Sequence, residues 1–151
     1  MQETFGETVR RLRSAQKGKA RGAPAYSVYV NRSIGRVLAA IAYRAGLTPN
    51  QVTAVSALFT FTGIVLIATV PPSLWLGVGV AALLALGYAW DSADGQVARL
   101  RGGGSVAGEW LDHFVDAIKI ATLHVAVLIG LARFTDVAEP VLLIPLAYSV
   151  V

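Results

Sequence analysis

The sequence contains no cysteine, which excludes disulfides, thiolate metal sites and a cysteine nucleophile. Charge is also scarce, since charged residues make up 15% of the chain, against about a quarter in a typical soluble domain. No charged residue at all occurs between residues 45 and 90. Hydrophobic residues account for 55% of the chain and the mean hydropathy is +0.60. Together these shortages indicate a membrane protein.

Most of the 13 Lys and Arg residues lie before residue 45. Residues 1–30 form a basic N-terminal segment without the apolar core of a signal peptide. Such a segment beside a membrane region predicts contact with anionic lipid on the cytoplasmic side, and a solvated tail is an equally good interpretation. Nucleic-acid binding is not expected, because the basic residues lack interleaved aromatics.

Residues 31–46 are predicted to form an amphipathic helix that lies in the membrane interface. Apolar residues recur there at helical spacing, with Arg36 and Arg44 near the two ends. The segment is too short to span a bilayer. Gly46 is placed to end the helix.

Residues 47–151 are predicted to form a transmembrane domain. Thr48 is a plausible N-cap with Pro49 in the first helical position, and residues 52–70 form an uncharged run long enough for the ~30 Å hydrocarbon core. After the Pro71-Pro72 break, a second helix should cross the membrane and continue to about residue 100. Glycines 102–104 should end it.

A third spanning helix should begin after Ser105, as its N-cap, and a fourth apolar run begins at Val141. The predicted fold is therefore an all-α integral membrane protein with three full spans and the start of a fourth. The N-terminus and the turn at residues 99–105 are basic, whereas the loop at residues 135–140 is acidic. By the positive-inside rule, the basic end faces the cytoplasm in a multi-pass protein of the cell membrane.

Four aspartates fall between residues 91 and 116 of this apolar chain: Asp91, Asp94, Asp112 and Asp116. On helices, the first two stand at i, i+3 and the last two at i, i+4, so each pair projects from one helix face. Two facing pairs would form a cage of carboxylate oxygens, which suits Mg²⁺ or Mn²⁺ better than Zn²⁺. A solvated acidic helix end is the alternative. Since the acids adjoin membrane spans, where ionisable groups are costly, a functional site is favoured.

The two acidic segments share a fixed pattern, D-x-x-D-G-x-x-A-R, then eight residues, then G-x-x-x-D-x-x-x-D. This pattern resembles the signature of the CDP-alcohol phosphotransferase family, and the resemblance covers about residues 31–134. Its eight defined positions are Asp91, Asp94, Gly95, Ala98, Arg99, Gly108, Asp112 and Asp116. Members of the family have six spanning helices, so a chain that ends inside an apolar segment is expected to be truncated.

The resemblance implies transfer of a phosphoalcohol group from a CDP-linked donor, usually CDP-diacylglycerol, to the hydroxyl of a second alcohol, with release of CMP. It implies that the four aspartates bind the metal, that Asp116 is also the general base, and that the protein is a homodimer. The donor-binding residues it implies are Thr48, Pro49, Asn50, Gln51, Gly95, Ala98, Arg99, Ser105 and Gly108. For Thr48 and Asn50, helix capping is a compatible alternative.

The acceptor is less well defined by the sequence. Asn31-Arg32 and the run at residues 104–112 resemble family members that handle inositol phosphates, but glycerol phosphate would fit equally well. Three rival functions stay open: a Mg²⁺-dependent intramembrane prenyltransferase, a non-enzymatic cation or proton transporter, and an inactive scaffold. A prenyltransferase does not require Gly95 or Arg99. A transporter would place its acids near mid-bilayer. The intact spacing of the motif argues against an inactive scaffold.

Overall fold

The computed structural model describes residues 4–14 and 26–149, and all regular secondary structure within these ranges is helical. This confirms the predicted all-α class. A short π-helical turn, Ser27–Asn31, runs directly into the second helix. The α-helices are α1 (Phe5–Ser14), α2 (Arg32–Arg44), α3 (Pro49–Thr69), α4 (Leu74–Leu100), α5 (Val106–Phe134) and α6 (Glu139–Tyr148).

Helices α3, α4 and α5 are long and apolar enough to cross a membrane. They contain 21, 27 and 29 residues, and at about 1.5 Å per residue each matches or exceeds a hydrocarbon core of ~30 Å. The three predicted spans are therefore confirmed, and the chain is built as a multi-pass membrane protein. Helix α6 is apolar but has only 10 residues in the described part of the chain.

The helix ends follow the local signals in the sequence. Thr48 accepts a hydrogen bond from the Gln51 amide, and the Gln51 side chain accepts one from the Thr48 amide at 2.8 Å, which completes a capping box at the start of α3. Ser105 caps α5 in a similar way through its hydroxyl. Gly46 and Gly102 adopt φ values of +80° and +95° after α2 and α4, a conformation that other residues rarely adopt.

Helix α3 lies at the centre of the packing, because it contacts both α4 and α5. Helix α2 packs against α4, α1 against α2, and α6 against α5. Because consecutive spans alternate in direction, the start of α3, the end of α4 and the start of α5 lie at the same end of the bundle, here termed the site end. All four aspartates are located there.

Helix α1 packs onto the site end, which the sequence pattern did not predict. Leu12 is 1% exposed and joins a core with residues of α2, α3 and α4. Arg11 donates a hydrogen bond to the Leu100 carbonyl at 2.9 Å, and its guanidinium group lies over the Tyr43 ring. Arg101 approaches the same ring. The later basic residues of the N-terminal segment, Lys17, Lys19 and Arg21, lie outside the described residues.

Close helix contacts depend on glycine at particular positions. A Cβ added to Gly130 of α5 would lie 2.6 Å from the Ile67 carbonyl oxygen of α3, which is backbone and cannot rotate away. Gly87 of α4 similarly lies against Thr60 and the Ser56 carbonyl of α3. These two contacts set the spacing of α3 from its two neighbours.

We expect Gly130→Ala to destabilise the protein by about 1–3 kcal/mol, because the added methyl group forces α3 and α5 apart. Gly79→Ala on α4 is the matched control, since a Cβ there meets nothing within 4 Å. Thermal unfolding in detergent measures both. Equal melting temperatures for the two variants would show that the close contact does not matter for stability.

Candidate metal and donor site

Three carboxylates from two helices converge at the site end. Asp91 of α4 and Asp112 and Asp116 of α5 each offer one oxygen, and these oxygens all lie within 4.8 Å of one another. Asp91 sits in the later turns of its helix and the other two sit in the early turns of theirs. The antiparallel arrangement therefore brings Asp91 of α4 next to the acidic pair of α5.

Helix α3 contributes hydroxyl groups to this site. Thr53, which is buried, donates to Asp94 Oδ2 at 2.7 Å. Ser56, also buried, bonds the Gly87 carbonyl at 2.8 Å and lies 3.3 Å from Asp91 Oδ1. Both aspartates of α4 are thus fixed by α3. Asp94 is 7% exposed and lies outside the group of three, so its role as a metal ligand stays a prediction.

A lysine ammonium group lies within the acidic cluster. Lys119 Nζ is 2.6 Å from Asp91 Oδ1 and 3.0 Å from Asp116 Oδ1. It also donates to Ser56 Oγ at 3.1 Å. One side chain of α5 therefore connects all three spanning helices through polar contacts.

The donor set fits a hard divalent cation. Asp112 Oδ1 is buried and has no hydrogen-bond donor among the residues that the structure describes, and a buried carboxylate oxygen without a partner is costly unless something positive binds it. All the converging ligand atoms are carboxylate oxygens, which favours Mg²⁺ or Mn²⁺ by their chemistry. The ammonium group of Lys119 contacts Asp91 and Asp116, so a single positive charge lies among three converging carboxylates and negative charge is left for a metal to balance.

Gly95 lies next to these acids. A Cβ added there would meet Nη1 of Arg99 at 3.7 Å, an ordinary contact distance, and no closer atom of a neighbouring helix. Helix packing therefore does not require glycine at this position. Arg99 is exposed in the last turn of α4 beside it.

Other residues predicted to bind the CDP-alcohol donor form a second group at the site end. A Cβ on Gly108 would lie 3.2 Å from both Asn50 Oδ1 and Ser105 Oγ, so the start of α5 lies against the start of α3. The glycine turn folds back over Ala98, whose Cβ would lie 3.8 Å from a Cβ on Gly104. The structure thus brings Asn50, Ser105 and Gly108 together.

Three of the residues predicted to bind the CDP-alcohol donor have local structural roles. Thr48 and Gln51 bond each other in the capping box and Pro49 occupies the first turn, while Asn50 is exposed. Capping is confirmed for Thr48, and Asn50 takes no part in the capping box. A nucleotide-binding role for the same residues stays a prediction.

Sequence reasoning missed the polar residues that hold the aspartates in place. Thr53 and Ser56 stand at i, i+3, which puts two hydroxyls on one face of an otherwise apolar span. Lys119 follows Asp116 by three residues, which puts both side chains on the same face of α5. Uncharged polar residues inside a spanning helix were the available signal.

Comparison with known proteins identifies the family. No curated protein and no solved structure matches the chain. The sequence model described as CDP-alcohol phosphatidyltransferase matches residues 46–151, which includes all three spans and both halves of the acidic motif. The resemblance carried by that motif is therefore confirmed. The chain belongs to the CDP-alcohol phosphatidyltransferase family, transferases of phospholipid biosynthesis that move a phosphoalcohol group from a CDP-alcohol donor to an alcohol.

Proposed function

We propose that this protein transfers the phosphatidyl group of CDP-diacylglycerol to the hydroxyl of a small phosphorylated alcohol, inositol phosphate or glycerol phosphate, and releases CMP. The observation that carries the proposal is the convergence of Asp91, Asp112 and Asp116 oxygens within 4.8 Å at one end of a membrane-spanning bundle. A lipid donor and a water-soluble acceptor can meet only at such a membrane edge.

The four aspartates of the motif would hold the metal, Mg²⁺ or Mn²⁺. When bound, the cation would neutralise the charge of the donor diphosphate and stabilise the departing CMP. Asp91 and Asp94 are supported for this task by hydroxyl groups of α3. Asp112 offers a buried oxygen that lacks any donor in the described part of the chain.

Asp116 would act as the general base. A neutral alcohol is a weak nucleophile, so its proton must be removed as its oxygen attacks the β-phosphorus and the bond from that phosphorus to CMP breaks. The Asp116 side chain is 39% exposed, against 21% for Asp91. It is the acid that a soluble acceptor reaches more easily, and it takes up the hydroxyl proton.

The donor would lie across Gly95 and the start of α5. The absence of a side chain at Gly95 would let the nucleotide or its phosphates lie against α4, beside Arg99. Arg99 and Ser105 would bind the diphosphate through charge-assisted and hydroxyl hydrogen bonds. Ala98, Gly108 and residues 48–51 would border the cytidine.

An anionic acceptor is supported by basic groups of α2 and α4. Arg32 lies close enough to Arg99 for the two guanidinium groups to repel each other. The Nε of Arg36 is buried and has no hydrogen-bond acceptor among the described residues. A phosphate on the acceptor would satisfy the Arg36 donor, which a free polyol would not do as well.

The site end would face the cytoplasm at the cell membrane. It carries the basic residues of α1, α2 and the α4–α5 turn, whereas the opposite end includes the loop with Asp136. The homodimer implied by the family resemblance would bury part of an exposed apolar stripe on α5. The stripe consists of Phe114, Ile118, Val125 and Ile129.

The test is CMP release by the protein in detergent with CDP-diacylglycerol, Mg²⁺ and a panel of acceptors: myo-inositol phosphate, glycerol 3-phosphate, serine, inositol and none. We expect release only with a phosphorylated alcohol, loss of release with a chelator, and recovery with Mg²⁺ or Mn²⁺. Release with serine or inositol alone would overturn the acceptor class. Consumption of isoprenyl diphosphates without CMP release would favour a prenyltransferase instead.

We expect Asp116→Asn to lower turnover by about 10²–10⁴-fold, the contribution of a positioned general base. Donor binding, measured with a labelled CDP-alcohol, should change little because the amide keeps the shape of the side chain. Asp136→Asn, in the loop at the opposite end, is the matched control and should behave as wild type. Normal turnover in Asp116→Asn would remove the base assignment.

We expect Gly95→Ala to weaken binding of the CDP-alcohol donor by about tenfold or more, because the added methyl group clashes with a close-fitting ligand. The melting temperature should stay near that of wild type. The nearest protein atom, 3.7 Å from the added Cβ, leaves room for the methyl group in the ligand-free protein. Binding and thermal unfolding are measured on the same sample. A fall in stability with unchanged binding would assign Gly95 to packing.

A further inference from the structure

Lys119 places a positive charge where the proposed metal would bind. Its Nζ contacts Asp91 Oδ1 at 2.6 Å and Asp116 Oδ1 at 3.0 Å, and both residues belong to the group of three converging carboxylates. Its side chain is only 11% exposed, so the ammonium group points into the bundle instead of extending to the interface.

The charges of the site explain why an ammonium group lies there. Asp91, Asp112 and Asp116 are close enough to repel one another, and water at this partly buried place cannot screen them as bulk solvent would. Lys119 reduces that repulsion and links α5 to α4. Its hydrogen bond to Ser56 also links α5 to α3. In the metal-free protein it therefore supports the geometry that a metal needs.

A divalent cation and this ammonium group would compete for the same oxygens. Lys119 already occupies one carboxylate oxygen of each acid, Oδ1 of Asp91 and Oδ1 of Asp116. A metal ligated by these acids would bring two like-charged centres within a few ångströms of each other, where their repulsion is strong. Lys119 has a long, flexible side chain and can move away from the ligands while its backbone stays in α5.

We propose that Lys119 is an internal counter-cation that occupies the acidic site in the metal-free protein and is displaced from Asp91 and Asp116 when a divalent cation binds. The inference rests on the proposed function, since it takes the three acids to be metal ligands. It makes Lys119 a positioning residue that stabilises the metal-free site and lowers the affinity of the site for metal.

Removal of the side-chain charge tests the proposal without any turnover. We expect Lys119→Met to bind Mn²⁺ about tenfold more tightly than wild type, because ligand binding and stability are linked and the metal no longer displaces a partner. Mn²⁺ binding is followed by electron paramagnetic resonance on the protein in detergent. The melting temperature should fall in chelator but equal that of wild type in saturating Mg²⁺.

Arg133→Met is the matched control, because it removes a positive charge from the same helix at the opposite end, where Arg133 bonds the Ala68 carbonyl. Any effect of this control on the melting temperature should be the same with and without metal. If Lys119→Met fails to fold, Lys119→Gln keeps a polar side chain without the charge and is tested in the same way.

Chemical labelling of the wild-type protein tests displacement directly. Lysine occurs only at positions 17, 19 and 119, so reductive methylation followed by mass spectrometry reports on Lys119 with the other two as internal references. We expect the methylation rate of Lys119 relative to those references to rise when Mg²⁺ is added, since metal binding releases the amine from two carboxylates.

The outcomes separate this inference from the proposed function. If wild type binds no Mn²⁺, the proposed metal site is wrong and this inference falls with it. If wild type binds Mn²⁺ but Lys119→Met leaves the affinity unchanged or weakens it, only the counter-cation role is overturned. The counter-cation role would also be overturned if Lys119→Met lost the same stability with and without metal. A methylation rate of Lys119 that does not change when Mg²⁺ is added would overturn it too.

Discussion

The structure depends on the neutralisation of acidic side chains at the end of an apolar bundle. Carboxylates gathered in a partly buried site repel one another and lose hydration, so each requires a compensating partner. Thr53 supplies a hydroxyl for Asp94, and Lys119 supplies an ammonium group for Asp91 and Asp116. The packing of α3 between α4 and α5 follows this requirement, because its hydroxyl groups must reach the acids of α4.

Small residues make that reach possible. Gly87 lets the backbones of α3 and α4 approach so closely that Ser56 bonds an α4 carbonyl and also lies next to Asp91. In a membrane, where apolar burial does not drive helix association, such close packing and interhelical hydrogen bonds are the main attractive forces. The same contacts that hold the spans together therefore also orient the acids, so stability and site geometry have a common physical basis.

Much of this architecture could be predicted from the sequence because the signals are local. Uncharged runs identify the spans, Thr48 and Ser105 mark helix starts, and the i, i+3 and i, i+4 spacing of the aspartates predicts two facing pairs. What could not be predicted depends on contacts between residues that are distant in the chain. The docking of α1 through Leu12 is one example, and the position of Lys119 is another. Neither residue type nor spacing specifies which neighbouring helix such side chains will meet.

The distribution of charge along the spanning helices has a consequence for membrane insertion. A charged side chain at the middle of a spanning helix opposes insertion by about 2.5–3.5 kcal/mol, and this penalty falls towards the interface. Helix α3 contains no charged residue, Asp91 and Asp116 lie in the halves of α4 and α5 nearer the site end, and Lys119 lies near the middle of α5. Helix α3 can therefore enter the bilayer alone, and the contact of Lys119 with Asp116 on the same helix lowers the penalty for α5 before α4 is present. Acidic side chains and insertion into the bilayer are compatible here because the charge in the middle of α5 has a partner on its own helix.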